Sequence, residues 1–102
     1  MLKRVYISGP ITGMPSLNKD AFDGYADRLA QEGTAFFNPH TISAPSDPLE
    51  GQLLWQYYMR ACVKQIPDCT EIHLLPGWED SSGAQWEKDI AEMLGLKVIF
   101  NV

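Results

Sequence analysis

Residues 74–96 read LLPGWEDSSGAQWEKDIAEMLGL, and this stretch decides how the rest of the 102-residue chain is organised. It contains the end of an apolar strand, a Pro-Gly turn, a serine-rich helix start and a helix closed by Gly95. Ser81 or Ser82 suits the N-cap, and Ser82 with Gln85 has the capping-box spacing. Counting three, four and seven residues forward from Glu87 gives Ile90, Ala91 and Leu94, so Glu87 heads the apolar stripe of this helix. Lys88, Asp89 and Glu92 fall off the stripe as ordinary solvent-facing charges. A carboxylate on the buried face needs a partner or a purpose, because desolvating an unpaired charge costs roughly several kcal/mol.

Upstream, the same alternation of short apolar runs and helical patterns recurs. Arg4–Ser8 (RVYIS) is a buried strand stopped by Gly9-Pro10. The turn GPITGMPS then opens onto a helix from Leu17 or Asn18 to Gln31, with Phe22, Tyr25, Ala26 and Leu29 inward and Gly33 after its end. Residues 34–37 (TAFF) form a second strand. Residues 40–51 are polar, contain two prolines and are expected to form a mobile loop or lid. Residues 52–65 form an aromatic-rich helix with Leu54, Tyr57, Tyr58, Ala61 and Cys62 near one face, stopped by Pro67. Its aromatic residues suit core or dimer packing, and aromatic rings also stack on nucleobases. Glu71–Leu75 and Lys97–Phe100 are the third and fourth strands. His40 is a lone loop histidine, and His73 reads as a strand residue with satisfied hydrogen bonds.

The pattern β-α-β-α-β-α-β predicts a single α/β domain over residues 1–102. Its expected form is a small Rossmann- or flavodoxin-like three-layer sandwich, with a four-stranded parallel sheet of order 2-1-3-4 and helices on both faces. In that order the first and third strands are adjacent and form the switch point where ligands bind. The turns GPITGMPS and PGWEDSSG leave those two strands and so meet in space. The glycine turn matches neither GxGxxG nor the Walker A pattern and no lysine follows it, which argues against a nucleoside triphosphate site. A merely tight connection remains an alternative reading of GPITG.

Composition narrows the field. The net charge is -5 and the eight basic residues are scattered, which argues against a nucleic acid polymer as partner. Small anions remain possible ligands, since backbone amides at helix N-termini hold them without lysine. Cys62 and Cys69 lack disulfide-framework, zinc or CxxC spacing and read as reduced thiols of a cytoplasmic protein. The N-terminus has too short an apolar run for a signal peptide, and no segment is expected to span a membrane. A helix start with free amides, serine hydroxyls and Gly83 suits a phosphate or a sugar hydroxyl. A carboxylate one turn further along suits attack on an anomeric carbon or stabilisation of an oxocarbenium-like transition state. A structural hydrogen bond from a tyrosine or from backbone is the other reading of Glu87.

YISGPITG, LLPGWEDSSGA and Glu87 followed by IAEMLGL resemble the nucleoside 2-deoxyribosyltransferase-like superfamily, in particular its short phage and bacterial branch. The likeness covers nearly the whole chain, and the LPGW…S-x-G-x-x-x-E block carries most of its specificity. The resemblance implies Glu87 as catalytic nucleophile and Tyr6 as the residue that positions it. It implies a substrate-binding set of Ser8, Gly9, Pro10, Ile11 and Gly13 on the sugar side, with Trp78, Ser81, Ser82 and Gly83 from the second turn. Ser81, where the transferases carry an acidic residue, leans the chain towards a nucleoside 5′-monophosphate over a free nucleoside. Relatives carry aspartates where this chain has Cys62 and Thr70, and the first of these helps to handle the leaving base. The implied function is cleavage or transfer of the N-glycosidic bond of a (deoxy)nucleoside or its 5′-monophosphate, without metal or organic cofactor. A homodimer or higher homo-oligomer is implied too, since family pockets are finished by a partner. The alternative is a catalytically weak protein of the same fold that binds or sequesters a nucleotide, and the plainest reading is a structural or interaction module.

Overall fold

A computed structural model of the chain describes residues 2–102. Strands β1 (Arg4–Ser8), β2 (Ala35–Phe37), β3 (Glu71–Leu74) and β4 (Lys97–Ile99) alternate with helices α1 (Lys19–Gln31), α2 (Gly51–Val63) and α3 (Ser82–Met93). The strands form one parallel sheet in the order β2-β1-β3-β4, the arrangement that the alternating pattern predicts. In register, Tyr6 lies beside Phe37 of β2 and Ile72 of β3, and Ser8 lies beside Leu74. β1 and β3 are therefore the two central strands, each paired on both edges.

Because side chains alternate along a strand, β1 feeds two separate cores. Val5 and Ile7 pack with Phe22, Ala26 and Leu29 of α1 and with Leu75. Tyr6 enters the opposite layer with Phe37, Cys62 of α2, Ile72, Leu74, and Ala84 and Ala91 of α3. The layer holding Tyr6 also holds Glu87, so the short run from Tyr6 to Ser8 sets which face of the sheet carries the chemistry.

Three details depart from the sequence reading. Ser16, Leu17 and Asn18 have φ of 49°, 54° and 59°, so a left-handed turn precedes α1 and the helix begins only at Lys19. Asn18 does not cap α1 with its side chain; its Nδ2 donates to the Pro10 carbonyl at 3.0 Å and ties the helix start to the turn after β1. Leu94 is 52% exposed, because it lies beyond the last residue of α3, and the buried stripe ends at Ala91. The segment expected as a lid is fastened over its first residues. Asn38 Oδ1 accepts from the His40 amide at 3.0 Å within a 3-10 turn over Pro39–Thr41, and Tyr57 of α2 donates to the Ser43 carbonyl at 2.8 Å.

Gly9 and Gly24 illustrate opposite constraints. A Cβ on Gly9 would lie 2.9 Å from the Leu75 Cβ, closer than real contacts allow, so the ends of β1 and β3 approach only because residue 9 has no side chain. A Cβ on Gly24, inside α1, would meet nothing within 4 Å. Gly9→Ala is therefore expected to lower stability by about 1–3 kcal/mol, as overpacking does. Gly24→Ala is expected to raise it by about 0.5–1 kcal/mol through helix propensity. Thermal unfolding followed by circular dichroism checks both, and equal shifts of the same sign would contradict this account of the packing.

Candidate active site

Glu87 lies in the middle of α3, and only 7% of it is exposed. It points at the sheet because Ala84, Glu87 and Ala91 share the buried stripe of a helix that packs over β1 and β3. Both carboxylate oxygens are engaged by β1. The Tyr6 hydroxyl donates to Oε2 at 2.5 Å, and the Ser8 hydroxyl donates to Oε1 at 2.7 Å. Tyr6 and Ser8 are two residues apart and so lie on one face of the strand, both fully buried. The carboxylate is held in one orientation by two short hydrogen bonds from a single rigid strand.

Electrostatics follow from this enclosure. Burial pushes the Glu87 carboxyl up from its ordinary value to about 7, against the two hydrogen bonds, which favour the charged form. Burial and the adjacent Glu87 charge hold the Tyr6 phenol well above its usual range, so it stays a donor. The Cys62 thiol of α2 sits against the Tyr6 hydroxyl and is pushed up to about 12, first by burial and then by the Glu87 charge. Near neutral pH the cluster thus contains one group that changes charge, Glu87, flanked by neutral donors.

The start of α3 is built as the serines suggest, with a change of residue. Ser81 is the N-cap, its Oγ accepting from the Ala84 amide at 3.2 Å. Ser82 and Gln85 do not form the expected capping box, because the Gln85 side chain reaches the Glu79 carbonyl instead. Ser82 is exposed, and Gly83, one turn before Glu87, is half-buried with an ordinary helical backbone. A Cβ on Gly83 would lie 3.4 Å from the Met59 sulfur and 3.8 Å from the Trp55 indole nitrogen, which places α2 directly beside the head of α3.

The remaining expected site residues divide. Gly9, Pro10 and Ile11 serve packing: Gly9 meets Leu75, Pro10 lies against Gly77, and Ile11 packs on the α1-side core. Gly13 is exposed with φ of 82°, a conformation that favours glycine, and the Met14 amide closes the turn onto the Ile11 carbonyl at 3.1 Å. The Trp78 ring packs against Phe100 at 5.3 Å and beneath Lys88, against the core layer that holds Tyr6, and it lines a 280 Å³ depression with Gln85 and Asp89. Ser8, expected among the substrate contacts, instead spends its hydroxyl on Glu87. The sequence reading assigned Trp55 and Met59 no role at this site; the spacing 55-59-62, a helical stripe ending at Cys62, was the available signal.

His73 and Thr70 have their polar groups partnered, whereas the buried His40 Nε2 and Trp78 Nε1 have no hydrogen-bond partner among the described residues. His73 has both ring nitrogens partnered, with Tyr25 Oη 2.6 Å from Nδ1 and Glu71 Oε1 2.9 Å from Nε2. Glu71 can only accept when ionised, so Nε2 carries the proton and Tyr25 donates to Nδ1. His40 lies edge-on to Phe22 with ring centroids 5.0 Å apart. Thr70 bonds both the amide and the carbonyl of Arg4, at the opposite end of β1 from Ser8. Of the two positions where relatives were expected to carry aspartate, only Cys62 is next to Glu87 and Tyr6. Both cysteines are free and buried. No helix among the described residues is long and apolar enough to cross a membrane.

Comparison with solved structures places this architecture among known folds. The chain superimposes on a 2-deoxyribosyltransferase from Bacillus psychrosaccharolyticus with a TM-score of 0.74 and 16% identity, covering 95% of this chain and 70% of the other. A 2-deoxyribosyltransferase from Leishmania mexicana gives a TM-score of 0.69 at 17% identity, with 96% and 63% covered. At these identities the likeness is one of fold, and the chain spans about two thirds of each neighbour's length. A search of curated proteins finds no match. A family model described as a domain of unknown function, DUF4406, matches residues 3–100, nearly the whole parallel sheet with its three helices, and the chain belongs to that family.

Proposed function

We propose that this protein cleaves or transfers the N-glycosidic bond of a (deoxy)nucleoside or its 5′-monophosphate, with Glu87 as the nucleophile. The observation that carries the proposal is the fixed, buried Glu87 carboxylate, held on both oxygens by Tyr6 and Ser8 beside the helix start at Ser81–Gly83. Attack by Glu87 on the anomeric carbon gives a glycosyl-enzyme ester, which water or a second base then resolves. Tyr6 and Ser8 are positioning residues that restrain the carboxylate and favour its ionised form. The Ser82 and Gly83 amides and the Ser81–Gly83 turn are the proposed seat of the 5′ end of the substrate. The shared fold of two 2-deoxyribosyltransferases supports this reading.

A homodimer belongs to the same reading. α2 buries only Cys62 within the single chain and leaves Leu53 62% exposed, so a partner would cover an apolar face. Sedimentation that shows a monomer at roughly micromolar concentration, in the range of ordinary protein association, would remove this part of the proposal.

Base release from deoxynucleosides and their 5′-monophosphates, followed by chromatography, tests the activity. Glu87→Ala and Glu87→Gln are expected to lower release by roughly three orders of magnitude or more, as loss of a covalent nucleophile does. Persistent release in both would displace Glu87 as nucleophile. Tight nucleotide binding with no release by the wild type would make the protein a sequestering one instead.

Glu87 must be ionised to attack, so kcat/KM is expected to rise with pH to a plateau above about 7. Since the Tyr6 and Ser8 bonds lower the Glu87 value, Tyr6→Phe and Ser8→Ala should each move that midpoint upward, whereas a purely structural role would leave it in place. Stability carries the opposite sign. The folded value exceeds the unfolded one, so the native state holds the extra proton between about pH 4.5 and 7 and loses stability as pH rises through that window. Glu87→Gln should therefore gain on the wild type by on the order of 3 kcal/mol between those limits, measured by chemical denaturation at a series of pH values. A pH-independent difference would contradict it.

A further inference from the structure

The proposed reaction leaves open how the departing base is stabilised, and the wall facing Glu87 bears on it. Trp55, Met59 and Cys62 form one stripe of α2 at spacings of four and three residues. The stripe runs along the catalytic end of α3. Met59 and Trp55 lie beside Gly83, and Cys62 lies beside the Tyr6 hydroxyl that holds Glu87. Gly83 is one turn N-terminal to Glu87, and helical side chains lean towards the N-terminus, so the Glu87 carboxylate leans towards the end of α3 along which this stripe runs. The stripe offers an indole, a thioether and a thiol, which are soft, polarisable and uncharged. It contains no carboxylic acid, imidazole or amine. The Cys62 thiol is held in its protonated form too firmly to give up a proton to a leaving group near neutral pH. Tyr6 and Ser8 already spend their protons on Glu87.

A neutral purine or pyrimidine departs with its bonding electron pair and needs a proton, or a comparable donor, to do so quickly. A base whose glycosidic nitrogen belongs to a cationic ring does not. Resting on the N-glycosidase reading above, we infer that the substrates of this site are N-glycosides of cationic bases, such as N7-alkylated purines or N-glycosyl pyridiniums. A Glu87 oxygen bonds to the anomeric carbon as the C–N bond breaks. The electron pair moves into the ring and cancels its positive charge, and the base leaves neutral without any proton transfer. Water then cleaves the glycosyl ester, returns Glu87 as carboxylate and releases one proton to solvent. The net charge of -5 and the buried Glu87 favour a cation beside this carboxylate, and the α2 stripe presents no basic group to oppose it.

Matched pairs test the inference: 7-methylguanosine against guanosine, as ribo- and 2′-deoxyribonucleosides with and without a 5′-phosphate. The wild type is expected to favour the methylated member by roughly 100-fold or more in kcat/KM, the scale of one missing general acid. For an N-ribosyl pyridinium, whose fixed ring charge does not titrate, the pH profile should show a single rising limb from Glu87 and no falling limb up to about pH 9, since a general acid would produce a bell. Cys62→Asp, which returns an acid to the wall, should narrow the ratio about tenfold or more by speeding release from the parent guanosine. A ratio below about 100, or a bell-shaped profile, would overturn the inference while leaving the N-glycosidase reading intact. So would an unchanged ratio in a Cys62→Asp protein shown to be folded by its melting curve. If that variant does not fold, the wild-type ratio and profile decide alone. Failure to release base from any member of either set would overturn the N-glycosidase reading itself.

Discussion

The two hydrogen bonds from Tyr6 and Ser8 to Glu87 are the constraint around which this structure is arranged. They join residues 81 and 79 positions apart in sequence, and they cross from a central strand of the sheet to the middle of a helix. A carboxylate enclosed by apolar neighbours would ordinarily be expelled or protonated. Here each oxygen has a donor, and the enclosure raises the group only to about 7, where it can still ionise under ordinary conditions. Moving β1 by a single register position would turn Tyr6 and Ser8 to the α1 side and leave Glu87 without either donor.

The packing around these bonds gives structural work to residues that look functional in sequence. Gly9 permits β1 and β3 to close on one another through its contact with Leu75, and Pro10 lies over Gly77. The turn after β1 is further fastened by Asn18 to the Pro10 carbonyl. These contacts fix the end of β1, and therefore the position of the Ser8 hydroxyl. Trp78 likewise anchors the second turn by packing on Phe100. The head of α3 at Ser81–Gly83 is bordered by α2.

α2 is the element least legible in the sequence. Its aromatic residues fit several roles, because a helix rich in Trp, Tyr and Met can line a core, a partner surface or a pocket. Its own hydrophobic pattern does not select among these, and within the chain only Cys62 is buried. What selects is the position of the head of α3, whose Gly83 stands within van der Waals reach of Trp55 and Met59. Likewise, Cys62 and Thr70 look equivalent as departures from a familiar pattern. In space one adjoins Tyr6, and the other fastens Arg4 at the far end of the strand.

The sequence by itself determined the order of elements, the parallel sheet, the meeting of the turns after β1 and β3, and the anomaly at Glu87. Each of these follows from local periodicity, turn chemistry and the handedness of parallel connections, which act within a few residues or through general rules of chain topology. Only the tertiary structure decided how closely Tyr6 holds Glu87, that Ser8 joins it, that Trp78 packs on Phe100, and that α2 lies beside the head of α3. Those outcomes depend on distances between residues remote in sequence. A hydrogen bond or a van der Waals contact is decided within a few tenths of an ångström, a scale that no residue pattern records.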